Sequence, residues 1–134
     1  MKYKTSNYGD LKEQRFFLIR NSSISTVLNY KVDTNENCLV SFYEMPTIRD
    51  EGNRLEVVST DRNLKDYPPA IITSGANVED YGFELHKLAV ISSFSDDGWV
   101  LEPDTNYLLV IKGTSTEGAV NVYFELEEVE ESGE

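Results

Sequence analysis

Thr105-Asn106-Tyr107-Leu108-Leu109-Val110-Ile111-Lys112 and Ala119-Val120-Asn121-Val122-Tyr123-Phe124-Glu125-Leu126 are the stretches whose reading decides the fold. Each is a short run dominated by apolar, aromatic and β-branched residues, the composition of a strand packed on one face. The polar loop Gly113-Thr114-Ser115-Thr116-Glu117-Gly118 between them predicts an antiparallel pair.

The same grammar continues outward from this pair. Pro103-Asp104 turns the chain, and Trp99-Val100-Leu101 precedes it. Toward the N-terminus, Arg15 to Arg20, Ser25 to Asp33 and Cys38 to Glu44 read as strands. The last of these stops at Met45-Pro46, because proline cannot donate to a ladder. Gly52-Asn53 marks a turn before Leu55 to Val58, and Pro68-Pro69 leads into Ala70-Ile71-Ile72, closed by Ser74-Gly75. Gly82 to Ile91 fits either a bulged strand or a short helix, and its neighbours favour a strand. About eight strands with no long amphipathic helix predict an all-β fold, an antiparallel β-sandwich of jelly-roll type.

The expected organisation is an extended N-terminal arm over residues 1–13, a β-sandwich over 14–127 and an acidic flexible tail over 128–134. The arm is polar apart from Tyr3 and Tyr8, two tyrosines suited to gripping a neighbouring subunit. One chain of 134 residues suits one domain, and 40% hydrophobic with 27% charged residues is the balance of a globular core.

With 24 acidic against 12 basic residues the net charge is −12, a field that repels phosphate backbones, so nucleic acid is not expected as a partner. Cys38 is the only cysteine and His86 the only histidine. That excludes an internal disulfide and a multi-cysteine zinc site, and leaves one residue to serve as base in any nucleophile–histidine pair. Cys38 is expected to be a buried thiol and His86 to lie on the polar face of its strand. No run approaches the roughly 20 apolar residues of a membrane-spanning helix, and no secretory pattern is visible, so no membrane partner is expected.

Asp33-x-Asn35-x-Asn37 with Glu44 imitates the ligand spacing of an EF-hand, yet Cys38 stands where the loop needs glycine, and a strand follows instead of a helix. It is read as a hairpin turn. Asp96-Asp97 is likewise read as part of a turn. No phosphate-binding or zinc-hydrolase motif is present in the sequence, so no cofactor is expected and an enzyme is not the expected class. Trp99 is expected in the core, and Tyr67, Tyr81 and Tyr123 are the tyrosines that could be exposed for stacking on a ligand.

Two segments resemble a family of small auxiliary capsid proteins, the head decoration or cement proteins of tailed bacteriophages. The first is Phe42-Tyr43-Glu44-Met45-Pro46-Thr47, with Gly52, Leu55 and Asp61-Arg62-Asn63 following. It is similar to the family's aromatic-aromatic-Glu-Gly-Pro-Thr strand end, turn glycine and later Asp-Arg-Asn. The second is Trp99-Val100-Leu101, Thr105, Tyr107-Leu108-Leu109 and a β-rich ending through Leu126. Met45 departs from the family's glycine, Glu127-Glu128 replaces a late aromatic pair, and the stretch from Asn77 to Phe94 lacks a glycine-rich insertion. In this scaffold Gly52 would take a positive φ, and Arg62 would pair with Glu44.

The resemblance implies a non-enzymatic protein made in the host bacterial cytoplasm and carried on the outer capsid surface of the virion. Its partner would be the major capsid protein of the same phage, and it would form a homo-oligomer, a trimer by analogy with other cement proteins. The alternative is a carbohydrate- or receptor-binding β-sandwich module of a virion fibre.

Overall fold

Alternation of buried and less buried positions runs through several of the long strands. From Thr26 to Thr34 the even-numbered residues are buried and their neighbours are not, and Val120, Val122, Phe124 and Leu126 do the same in the last strand. A computed structural model describes residues 2–59, 68–113 and 118–129. Among them are thirteen strands and no helix: β1 (Lys2–Asp10), β2 (Arg15–Asn21), β3 (Thr26–Thr34), β4 (Cys38–Glu44), β5 (Thr47–Asp50), β6 (Asn53–Arg54), β7 (Val58–Ser59), β8 (Ala70–Ser74), β9 (Asn77–Asp80), β10 (Phe83–Val90), β11 (Ser93–Leu101), β12 (Asn106–Gly113) and β13 (Ala119–Glu128).

Eight of these strands make a jelly roll. The antiparallel pairs nest from the outside of the sequence inward: β1 with β13, β2 with β12, β3 with β11 and β4 with β10. The long strands alternate between two sheets along the chain except at β4 and β10, which are partners in one of them; the sheets are ordered β11-β3-β13-β1-β7 and β10-β4-β12-β2-β8-β6. The two sheets pack face to face, with Phe17 of one against Phe124 of the other at 5.4 Å between ring centroids.

Two expectations are corrected by this topology. β12 and β13 are strands, but they are not partners: β12 lies between β2 and β4, and β13 between β1 and β3. Their connection crosses from one sheet to the other, where a hairpin would have stayed within one. The N-terminal arm is also corrected. Lys2–Asp10 pairs with β13 over nine residues, so it belongs to the sandwich, and Tyr3 is 1% exposed in the core, unable to grip a neighbour.

The chain between β4 and β10 carries β5 and β9, which form a two-stranded sheet of their own. Its described residues around β5 and β9 lie over the outer face of the β10-β4-β12-β2 sheet, while β8 and β6 extend that sheet at its edge. Tyr81 sits edge-on to Phe16 at 5.8 Å and to Tyr43 at 5.2 Å, and the outward-facing Leu18, Leu108 and Val110 are buried. Gly52 has φ +83 and packs so closely on the carbonyl of Ser74 that no Cβ fits.

Asn21 ties the two sheets at one end. Its amide donates to the carbonyls of Ile24, Leu101 and Glu102 at 2.9, 3.2 and 2.8 Å, and its oxygen accepts from the Thr26 hydroxyl at 2.8 Å. Burial of these groups makes each bond consequential, since water cannot replace a lost partner.

Candidate functional site

Among the described residues, the covering segment leaves the sandwich with one clothed face and one bare face. On the bare face, the outer side of β11-β3-β13-β1, the register aligns Lys4, Glu125 and Asn29 in one row and Ser6, Tyr123, Lys31 and Ser95 in the next. Tyr8 stands opposite Asn121 and therefore diagonal to Tyr123. Tyr8 is 72% exposed and Tyr123 is 41% exposed. Asn121 donates to the Tyr123 hydroxyl at 2.9 Å, which fixes that ring's orientation.

Beside Tyr123 lies an open cleft of about 410 Å³ lined by Lys4, Asn29, Lys31, Asp97 and Glu125. Glu125 receives Lys2 and Lys4 at 3.6 and 3.7 Å and the Asn29 amide at 3.3 Å. The backbone N–H of Gly98 donates to the Asn29 oxygen at 2.7 Å. Donors, acceptors and an aromatic ring thus share one open surface.

The open side of the sandwich, between β10 and β11, is closed by rings. Phe42 lies 5.1 Å from Trp99 and 5.7 Å from Tyr107, the latter pair nearly parallel at 8°. Bulges at Glu84/His86 and Asp96/Trp99 re-aim both edge strands. The first turns His86 inward, where it stacks with Phe94 at 6.3 Å, so the expectation of a polar-face histidine is corrected. The second makes Asp96 part of a strand and aims its carboxylate at the rings. It accepts from the Tyr30 hydroxyl at 3.1 Å and from the Trp99 indole at 2.6 Å. Burial, followed by the charge of Asp96 and their hydrogen bond, pushes the Tyr30 phenol well above its ordinary range.

Cys38 is buried, and burial raises its thiol pKa, the opposite of an activated nucleophile. It pairs with Val90 and His86 with Phe42, four positions along β4, which separates them by roughly 13 Å at the rise of a strand. The calcium-like spacing is spent on the fold: the Asn35 side chain accepts from the Ala119 N–H at 2.8 Å, and Lys31 lies 3.7 Å from Asp33. Among the described residues no cluster of three or more His, Cys, Asp or Glu could hold a metal ion. No helix there is long and apolar enough to cross a membrane.

The residues that carry the resemblance fall into three groups. Phe42, Trp99, Leu101 and Tyr107 pack in or against the core, and the Tyr107 hydroxyl accepts from the Glu102 N–H at 2.7 Å. Glu44, Pro46, Thr47 and Gly52 lie along the turn into the covering segment, with Thr47 opposite Asp80, and Thr105 donates to the Pro103 carbonyl at 3.0 Å. Asp61, Arg62 and Asn63, and with them the expected Arg62–Glu44 pair, lie outside the described residues, as do Tyr67 and residues 130–134.

No family model and no curated protein matches this chain. Among solved structures it is similar to a bacterial lipoprotein from Bacteroides thetaiotaomicron, at 10% identity over 96% of this chain and 84% of that one, with a TM-score of 0.27.

Proposed function

We propose that this chain is a non-enzymatic capsid decoration protein that binds the outer face of a tailed-phage head and stabilises the shell. The observation that carries this reading is the meeting of the two segments on which the resemblance rests. Phe42 from the first packs on Trp99 and Tyr107 from the second, at 5.1 and 5.7 Å. Residues far apart in the chain that are shared with a family and form one contact cluster are coherent as that family's scaffold. The jelly roll is also an architecture used by viral capsid proteins, although fold alone does not assign function.

The partner in this reading is the major capsid protein, and many copies stabilise the lattice by added interface. A trimer at a threefold position is the oligomer that suits an icosahedral shell. The test is cosedimentation of the purified protein with capsids lacking it, together with its mass by light scattering. Saturable binding in fixed stoichiometry and greater heat resistance of the capsids are expected; absence of binding overturns the reading.

The bare face favours one second reading, a carbohydrate-binding module, because Tyr8 and Tyr123 are displayed beside a polar cleft on the same surface. Sugars stack their apolar faces on such rings and satisfy their hydroxyls with mixed donors and acceptors. Binding on a glycan array that is lost in Tyr123→Ala would establish it, and a blank array would remove it.

A further inference from the structure

The lysines of the bare face are already matched by carboxylates. Glu125 takes Lys2 on one oxygen at 3.6 Å and Lys4 on the other at 3.7 Å, and the first oxygen also accepts from the Asn29 amide at 3.3 Å. Lys31 lies 3.7 Å from Asp33. The register sets Glu127 on the same face as Glu125, and Asp97 lines the cleft beside Tyr123. Among the described residues this face is therefore acidic on balance, on a chain of net charge −12.

The groups that the cleft leaves for a ligand follow from the bonds already made. Both ends of the Asn29 amide are taken, by Glu125 and by the Gly98 N–H. Asp97 is exposed, and its carboxylate has no ion-pair partner among the described residues. It sits in the bulge between Asp96 and Trp99, outside the ladder with β3. The Tyr123 hydroxyl accepts from Asn121 at 2.9 Å and keeps its own hydrogen to donate. A ligand that answers this inventory brings a donor for the carboxylate, an acceptor for the phenol and an apolar patch for the ring. Sugar hydroxyls donate and accept at once, and a pyranose ring offers an apolar C–H face.

We propose that the cleft takes an uncharged oligosaccharide, stacked on Tyr123 with its hydroxyls on Asp97, and rejects glycans that carry carboxylate or sulfate groups. The proposal rests on the carbohydrate-binding reading of this face and names the class of sugar. An acidic glycan would have to displace Glu125 or Asp33 from a lysine to gain a cation of its own, and would meet the Asp97 carboxylate as a like charge. The net charge of the chain opposes its approach as well. An uncharged sugar leaves every one of these ion pairs in place and adds charge-assisted hydrogen bonds to Asp97.

The experiment is a glycan array with uncharged, acidic and free-amino members, followed by calorimetric titration of one hit at about 0.01 and 1 M salt. Wild type is compared with Asp97→Ala, Tyr123→Ala and Tyr123→Leu, with thermal scans of each; the leucine variant keeps apolar bulk and serves where alanine disturbs the fold. Hits are expected among uncharged glycans alone, with nearly the same affinity at both salt concentrations. Asp97→Ala and the Tyr123 variants are each expected to weaken binding about tenfold or more. Hits confined to acidic or amino glycans, or an affinity that collapses with salt, would overturn the uncharged class and leave the carbohydrate reading standing. Wild-type affinity in Asp97→Ala would overturn the contact assigned to that carboxylate. A blank array would overturn the carbohydrate reading and this proposal with it.

Discussion

Phe42 and Tyr107 stack nearly parallel, with ring centroids 5.7 Å apart and planes 8° from each other, across the β4–β12 pair. Trp99 reaches Phe42 from the opposite sheet at 5.1 Å. One ring thus joins both layers of the sandwich.

Phe42→Ala should consequently be among the most damaging single substitutions, costing about 3–5 kcal/mol by loss of apolar burial and the cavity left behind. Phe42→Leu should cost less than half of that, since it keeps most of the apolar contact. Urea titrations that follow Trp99 fluorescence would measure both. An Ala variant as stable as wild type would remove Phe42 from the role of keystone.

Asn21 gives a test of the polar tie between the sheets. Replacing it with alanine leaves the carbonyls of Ile24, Leu101 and Glu102 and the Thr26 hydroxyl without the amide they share. The expected cost is about 1–3 kcal/mol. Asn21→Asp should be worse at neutral pH, because it aims a charge at three carbonyl oxygens, and should recover partly in acid as that carboxylate is protonated. Thermal scans at pH 7 and pH 4 would check the order, and an Asp variant insensitive to pH would contradict it.

Gly82 should not tolerate even the smallest side chain. Gly82→Ala puts a Cβ against the backbone carbonyls of Glu44 and Met45, where no flexible side chain can give way. Together with its φ of +88 this should cost about 1–3 kcal/mol. A Gly82→Ala protein that melts with wild type would show that the corner opens more easily than its geometry implies.

The strands most visible in the sequence are those whose core faces are filled with large apolar residues. Cys38–Glu44 was legible to the residue, and Ser25 to Asp33 within one residue at either end. β1 was not legible, because its inward positions after Tyr3 are Thr5, Asn7 and Gly9, and its strand character comes from lying between β13 and β7. Glycines at both ends of the loop from Gly113 to Gly118 signal a reversal, but a reversal within a sheet and one between sheets use the same residues. The corner at Met45 was visible only as a missing glycine, since exposure of its side chain and of Phe83 depends on how β5 and β9 fold over the sheet. Asp96-Asp97-Gly98 has the composition of a turn and is a bulge instead, a distinction made by the pairing of its flanks with β3.

Alkali should unfold this protein through its buried phenols. Tyr30 is held protonated by burial and by the adjacent Asp96 carboxylate, and Tyr107 is raised in the same direction, chiefly by burial. A tyrosine whose folded pKa lies above its unfolded value makes the folded state bind more protons in the interval between them. Its stabilising contribution is therefore complete below the unfolded value of about 10 and is lost as pH rises beyond it. Stability measured by urea at pH 8 to 11.5 should be nearly flat at first and then fall. Tyr30→Phe should make the fall shallower while lowering stability at pH 8, because Asp96 then keeps only the Trp99 indole as a donor. An equal slope in Tyr30→Phe and wild type would show that the phenol is ionised as readily in the folded chain as in the unfolded one.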